Sequence, residues 1–360
     1  MKSDNNFKIF VAGAKGLVGS AITKKLLEKG YTNLLTPSRK ELDLRRQKET
    51  EEFFETTKPD YVFLAAAKVG GILANNTYRA DFIYDNILIA SNVIFSSYKY
   101  EVKKLVNLGS SCIYPKYAPQ PLKEEYLLTG TLEPTNEPYA IAKIAAIKMC
   151  QAFNYQYGTN FISLMPTNLF GENDNFNLET SHVLPALIRK FILAKALSEE
   201  NFDLIMQDFK SKPIGFGIDS KIHSLTKENI IQTLGSLGIF RNKVILWGQG
   251  KAMREFLYVD DLADACIYFI ENYDAKDLEP FINIGTGEDI SIKNLAELIK
   301  KIVGFEGEIG WNPQKPEGTP RKLLDVSRAI KLGWNPKTTL KEGIERVVKN
   351  YYNSLNNAIT

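Results

Sequence analysis

The sequence predicts an α/β protein: a doubly wound parallel sheet with a smaller, mixed α/β region toward the C-terminus. Three observations predict it. Short apolar runs alternate with helix-length amphipathic stretches from Lys8 to Pro166, the rhythm of βαβ units. The first apolar run, Lys8-Ile9-Phe10-Val11-Ala12, leads straight into a turn that carries Gly13, Gly16 and Gly19. A chain of 360 residues with 44% hydrophobic content is long enough to bury a large core, in one big or two modest domains.

The glycine turn, Gly13-Ala14-Lys15-Gly16-Leu17-Val18-Gly19, opens a helix with Val18, Ile22, Leu26 and Leu27 on one face. Glycine suits a turn where backbone must approach a pyrophosphate, whose charge the helix N-terminus then favours. The spacing is GxxGxxG, which any tight strand-to-helix turn can also use. A second strand is expected near residues 33–36, followed by Ser38-Arg39 where an NAD site would carry an acid. Arg39, with Lys15, instead suits the 2′-phosphate of NADPH, although a solvated loop charge would look the same. Asp43 and Leu44 then border the adenine. Residues 47–57 read as a helix and 61–65 as a strand, ending in the small-residue loop Ala65-Ala66-Ala67-Lys68-Val69-Gly70-Gly71. Small side chains there let a flat ligand lie against backbone at a strand's C-terminal end.

Residues 84–98 carry apolar side chains at helical intervals, and residues 104–108 form the strand that delivers Gly109. From Gly109 to Lys143 the chain concentrates its chemistry. Gly109-Ser110-Ser111-Cys112 supplies hydroxyls and a thiol, and Tyr139 and Lys143 stand four apart, on one face of a helix over 139–157. An ammonium one turn from a phenol lowers the phenol's pKa toward neutral pH, which suits proton transfer at a carbonyl. The strand over 161–165 ends at Pro166-Thr167-Asn168. After Gly171 the rhythm changes. A helix runs from His182-Val183 through Lys195, a polar stretch follows, and strands near Trp247 and Arg254 precede helices through Asn272 and over 292–303. Residues 1–170 are thus expected to form the dinucleotide-binding domain, with later segments returning to it. Residues 171–360 would form mainly the substrate region.

Charge narrows the partners. Lysine and arginine total 45 against 42 acidic residues, a net +3, and no basic stripe interleaves with aromatics, so no nucleic acid is expected. The apolar run at residues 7–12 is too short to span a membrane. Cys112, Cys150 and Cys266 are an odd number without metal-type spacing, so neither a disulfide framework nor a metal site is read, and a reduced, cytoplasmic protein is expected.

With the glycine turn, Ser110 and Tyr139-x-x-x-Lys143 in that order, the chain resembles the extended short-chain dehydrogenase/reductases, whose fold is Rossmann-like. Longer motifs narrow the match. Gly109-Ser110-Ser111-Cys112-Ile113-Tyr114-Pro115, Pro166-Thr167-Asn168-Leu169, Ser181-His182-Val183, Arg254-Glu255-Phe256 and Lys315-Pro316-Glu317-Gly318-Thr319-Pro320-Arg321-Lys322 resemble the GDP-L-fucose synthase family. The resemblance implies NADP(H) as cofactor and a GDP-4-keto-6-deoxymannose as substrate, inverted at C3 and C5 and reduced at C4. It implies that Tyr139 protonates the C4 oxygen, Lys143 holds the nicotinamide ribose, Ser110 bonds the same oxygen, and Cys112 and His182 exchange protons beside the ketone. It places the cofactor on Gly13, Lys15, Gly16, Leu17, Val18, Gly19, Arg39, Asp43, Leu44, Ala65, Ala66, Ala67, Lys143, Pro166, Asn168 and His182. It places the GDP-sugar on Asn168, Val183, Arg189, Lys190, Trp247, Arg254 and Lys315. It also implies a homodimer through the helices over 84–98 and 139–157.

Plainer readings stand beside these. Cys112 could be a small buried filler, His182 a core or capping residue, and Arg254 a partner of Glu255 or Asp260. Cys150, Cys266 and His223 carry no functional reading. Residues 196–243 exceed the family pattern, with short helices expected over 197–207 and 227–237, and form either a substrate lid or a surface or oligomer elaboration. That stretch leaves open a GDP-4-keto-heptose substrate reduced without epimerisation. A dinucleotide sensor on a dead reductase scaffold is the alternative from another class, and the intact Ser110, Tyr139 and Lys143 count against it.

Overall fold

The apolar runs form a six-stranded parallel sheet at the centre of the computed structural model, which describes residues 6–224, 226–315 and 318–356, without the side chains of 221, 223 and 224. The readings of His223, of the first five residues and of Pro316-Glu317 lie outside the described residues. The strand order is Ile282–Ile284, Phe161–Pro166, Lys104–Leu108, Tyr61–Leu64, Ile9–Ala12, Leu34–Leu35. Ile9–Ala12 and Tyr61–Leu64 are buried along their whole length because helices cover both faces, which is why they read as unbroken apolar runs. The helices Leu17–Glu28 and Val259–Asn272 pack on one face. Gln47–Thr57, Arg79–Lys99 and Glu137–Tyr157 cover the other.

The direction of winding reverses at Ile9–Ala12, which lies between Leu34–Leu35 and Tyr61–Leu64. Open α/β sheets bind ligands in the crevice beyond the strand ends at such a point. Gly13 sits there with φ +82, and a Cβ on it would come within 2.8 Å of the Ala66 Cα. A Cβ on Gly19 would lie 2.1 Å from the Gly13 carbonyl oxygen, so the first helix packs directly on the turn. Both glycines are therefore required by close backbone approach.

A second region is built around the strand Met253–Tyr258. It pairs with Asn168–Phe170 and Arg321–Lys322 in parallel and with Asp289–Ser291 antiparallel. The short sheet of Glu308–Asn312, Lys243–Trp247 and Ile239–Phe240 lies alongside. Val183–Ser198, Phe202–Ser211, Lys227–Ser236, Ile292–Val303 and Leu340–Asn356 enclose its core.

Residues 196–243 contribute to that core: Ile205, Phe209, Ile214, Ile230 and Leu234 are buried with Phe191 and Tyr351. The helix expected over 197–207 starts later, at Phe202, because Glu200 takes a left-handed φ of 54 and Asn201 caps the new helix by accepting from the Leu204 amide at 3.0 Å. The second expected helix is present as Lys227–Ser236, capped by Thr226.

Arg189 corrects a sequence reading. It is fully buried and does not reach the substrate cleft. Its guanidinium donates to Asp208 Oδ1 at 2.7 and 3.0 Å, and to the Phe176, Lys212 and Pro213 carbonyls. Tyr351 donates to the other Asp208 oxygen, so every face of the pair is satisfied within the protein. A buried, hydrogen-bonded pair is costly to break from one side. Asp208→Ala should therefore lower stability by about 3–5 kcal/mol in urea unfolding, whereas the apolar double replacement Arg189→Met/Asp208→Leu should lose much less. Equal losses would refute this account of Arg189.

Candidate active site

One cleft of about 1380 Å³ runs from the glycine turn, past Ser110 and Tyr139, to Trp247 and Lys315. At its first end Gly16 begins the helix Leu17–Glu28 without a side-chain cap, leaving the leading amides of Leu17 and Val18 open to an anion. Arg39 and Lys15 are exposed at this end of the cleft, while Ala65, Ala66 and Ala67 present backbone across from Gly13. The residues expected to hold NADPH therefore fit a dinucleotide with an extra phosphate. Gly19 lies behind this surface, where it sets the packing of the helix. Asp43 and Leu44 line the cleft, but the Asp43 carboxylate is engaged by Arg45 at 2.6 and 2.9 Å, and this pairing holds its pKa down to about 2.

Midway, the strand Lys104–Leu108 ends at Gly109, where a Cβ would collide with Met165 Sδ at 2.1 Å. The chain then turns sharply. Ser110 caps the short turn Ser111–Ile113 by accepting from the Cys112 amide at 3.4 Å, which fixes the hydroxyl beside the thiol. The helix Glu137–Tyr157 starts with Pro138 in its first turn and brings Tyr139 and Lys143 to the same place. Its other end stops at Gly158 in the left-handed region.

The electrostatics differ from the sequence reading. Lys143 Nζ donates to the Leu108 carbonyl at 2.8 Å and lies 5.7 Å from the centre of the Tyr139 ring. Burial, not the ammonium, dominates the phenol: it pushes the Tyr139 pKa well up, against a smaller lowering by Ser110. The expected depression of the phenol by Lys143 is thus not present. Burial also lowers Lys143 to about 8. Cys112 is raised by burial, with Lys322, Ser110 and Lys143 acting against the rise. His182, at the mouth of the helix Val183–Ser198, is exposed to the cleft, and desolvation by the cleft walls with the Lys322 charge lowers its pKa. At neutral pH the site therefore presents a protonated phenol and a neutral imidazole.

The remaining expected residues fall in two groups. Pro166, Asn168, Val183, Lys190, Trp247, Arg254 and Lys315 line the cleft, and Arg189 does not. Lys190 donates to the Leu237 carbonyl at 2.8 Å and is lowered to about 8 by burial. Lys315 stands 5.4 Å over the Trp247 ring. Arg254 does not depend on its neighbours in the way the plainer reading supposed. Glu255 points to the opposite face of the strand, where it accepts from the Thr286, Gly287 and Leu324 amides, and Asp260 pairs with Lys24 at 3.0 Å. Asn168 donates to the Glu255 carbonyl at 2.7 Å.

Two residues were missed by sequence reasoning. Lys322 lines the cleft near Cys112, and only its place at the end of the Lys315–Lys322 motif signalled it. Asp174 also lines the cleft: burial raises its carboxyl to about 7, and Oδ2 has no partner among the described residues. Nothing in its Asn-rich surroundings marked it.

Residues 9–206 and 220–285 match the NAD dependent epimerase/dehydratase family. GDP-L-fucose synthase 1 of Arabidopsis thaliana is 50% identical over 355 residues, spanning 99% of this chain and 96% of the relative. A Campylobacter jejuni GDP-6-OMe-4-keto-L-xylo-heptose reductase superposes with a TM-score of 0.91 at 45% identity, over 97% of this chain and 99% of that one. A GDP-D-glycero-L-gluco-heptose synthase from the same organism, solved in the presence of NADPH, gives 0.89 at 45% identity over 97% and 99% of the two chains. Fold, cleft and sequence agree: the chain belongs to the NAD dependent epimerase/dehydratase family and, within it, to the GDP-L-fucose synthase family.

Proposed function

We propose that this protein is an NADPH-dependent nucleotide-sugar oxidoreductase. It reduces the C4 ketone of a GDP-4-keto-deoxymannose-type sugar and inverts the carbons on either side. The observation that carries the reading is the convergence in one cleft of a carbonyl-reducing trio, Ser110, Tyr139 and Lys143, with a thiol and an imidazole, Cys112 and His182. The intact trio sets aside a cofactor sensor that does no chemistry.

When bound, NADPH supplies the hydride that reaches C4. The protein's residues manage protons and charge. Tyr139, kept protonated by burial, gives its proton to the C4 oxygen as negative charge builds there, and Ser110 donates a hydrogen bond to the same oxygen. Lys143 holds the nicotinamide ribose and supplies positive charge beside the phenolate left behind. Before reduction, removing a proton from a carbon beside the ketone gives an enolate, which the Ser110 and Tyr139 hydroxyls meet. Cys112 and His182 take and return those protons. Arg254, Lys190 and Lys315 offer cationic groups to the diphosphate, and Trp247 offers a face on which the base stacks.

A second reading, C4 reduction alone on a GDP-4-keto-heptose, is favoured by the cleft wall that residues 196–243 supply. Phe216, Ile218 and Leu237 line the cleft there, and a wall from this segment suits a modified sugar. We further read the protein as a cytoplasmic homodimer. Tyr84, Ile87 and Phe95 on Arg79–Lys99, and Ile141, Tyr155 and Tyr157 on Glu137–Tyr157, are exposed apolar residues on two helices that pack side by side. Cys112, Cys150 and Cys266 are free, which suits a reducing compartment.

The test offers 6-deoxymannose and heptose forms of the GDP-4-keto sugar in deuterated water with NADPH. Product NMR should show deuterium at C3 and C5, and Tyr139→Phe should slow NADPH oxidation about 10²–10⁴-fold with NADPH binding retained. Deuterium at neither carbon leaves a plain reductase, and an undiminished Tyr139→Phe rate refutes the reading. Because Lys143 is lowered to about 8, its ammonium is lost as pH rises through that value, so kcat/KM should fall on an alkaline limb near 8. Lys143→Met should be slower and lack that limb. Light scattering at micromolar concentration should give the mass of two chains, and Tyr84→Glu/Tyr155→Glu should give one. A native monomer would rule out the dimer.

A further inference from the structure

Lys322 is a cation in the wall of the reaction cleft, with no ion-pair partner among the described residues. It lies on the two-residue strand Arg321–Lys322, in register with Arg254 across from Met253–Tyr258. It shares the cleft wall with Cys112 and His182. A separate pit of about 10 Å³ is walled by Cys112 and Lys322 as well, together with Ser111, Glu133 and Arg321, so the two residues share the walls of two adjacent spaces. Glu133, an acid whose charge acts on Lys322, is already paired with Lys116 at 3.0 Å. Placing an ammonium in such a wall is unfavourable unless some anion offsets it. Burial does lower the Lys322 pKa.

We propose that Lys322 is a positioning charge for proton exchange beside the ketone: its ammonium stabilises the Cys112 thiolate and holds the His182 imidazole neutral. The inference rests on the reading that Cys112 and His182 exchange those protons. Inversion at such a carbon moves one proton to a group on one face and returns one from the other, while the carbon's electron pair passes through an enolate on the ketone oxygen. Cys112 carries the negative charge either before it takes a proton or after it gives one, so a fixed cation next to the sulfur favours the exchange in either direction. Every titratable or charged group facing these residues bears on the effect. Cys112 faces Lys322, Lys143, Ser110 and Tyr139; His182 faces Lys322; Lys322 itself faces Cys112, Arg254 and Glu133. Lys322 is the strongest of the charges that oppose the rise in the thiol's pKa, and Lys143 is weaker.

The experiment compares the native NADP-loaded protein with Lys322→Met, Lys322→Gln, Lys322→Arg and Cys112→Ser. Iodoacetamide alkylation of Cys112 is followed by mass spectrometry across pH. Deuterium wash-in at the carbons beside the ketone is followed by NMR without reduced cofactor. In both neutral variants alkylation at neutral pH should fall about tenfold and its midpoint should move to higher pH, with Lys322→Arg staying close to native. Wash-in should fall by a similar factor and recover in part as pH is raised, which a merely structural loss would not do. Coincident alkylation profiles for native and neutral variants overturn the inference. If Cys112→Ser exchanges deuterium at the native rate, the epimerase reading falls instead, and the alkylation profile still judges the Lys322 charge. Two neutral variants guard against one that fails to fold, and NADPH binding reports folding in each.

Discussion

The buried carboxylate of Glu255 is the joint on which the cleft depends. Fully enclosed, it accepts from the Thr286 amide at 2.6 Å and the Gly287 amide at 2.9 Å with one oxygen, and from the Leu324 amide at 2.9 Å with the other. Its backbone carbonyl accepts from Asn168 and Thr167. One residue thus ties the loop after Ile282–Ile284 on the parallel sheet, the loop after Phe161–Pro166, and the segment that follows the strand carrying Lys322. A carboxylate in such a place is costly to desolvate, and burial does raise its pKa, while the amides that converge on it work the other way. Because strand side chains alternate, locking Glu255 inward turns Arg254 outward into the cleft. Gly285 has no room for a side chain there, since a Cβ would lie 2.1 Å from Glu255 Oε1.

The same low-dielectric enclosure governs the chemistry. Burial is the largest cause that raises Tyr139 and Cys112 and lowers Lys143, His182 and Lys322. Each shift favours the neutral form, so a site with two amines, a thiol, a phenol and an imidazole holds its protons on phenol and thiol and off the imidazole. For a reductase this is useful. The phenol must be a proton donor when hydride arrives, and a phenol already ionised by a strong nearby cation would have nothing to give. The Lys143 ammonium, turned to the Leu108 carbonyl, leaves the ground-state phenol intact and stands within a helical turn of it when negative charge appears.

Much of this was legible in the sequence because it is local. The Gly13 turn, the Ser110–Cys112 turn and the Tyr139–Lys143 pair are set by spacings of a few residues, and each recurs in the structure at the crevice where the sheet reverses. Arg189 was misread for the opposite reason. The family resemblance placed it on the GDP-sugar. Its partner Asp208 lies 19 residues ahead and Tyr351 a further 143, separations no local pattern reveals. The phenol was misread because charge spacing is visible in a sequence and desolvation is not.

Residues 196–243 are both scaffold and wall. Its apolar residues fill the second core, and its Asp208 neutralises Arg189 in the middle of the helix Val183–Ser198. That helix carries His182 at its mouth and Lys190 next to Arg189. Lys190 donates to the Leu237 carbonyl, so the end of Lys227–Ser236 and the cleft share a hydrogen bond. A change in this stretch therefore reaches the cleft along two routes, by repacking the helix under His182 and by moving the carbonyl that Lys190 holds. Loops of variable sequence on a fixed sheet are where related enzymes differ in substrate. In this chain residues 196–243 are anchored by a buried ion pair, so reshaping the cleft wall without loosening that helix requires changes at the Phe216, Ile218 and Leu237 edge rather than in the Ile205 and Phe209 core.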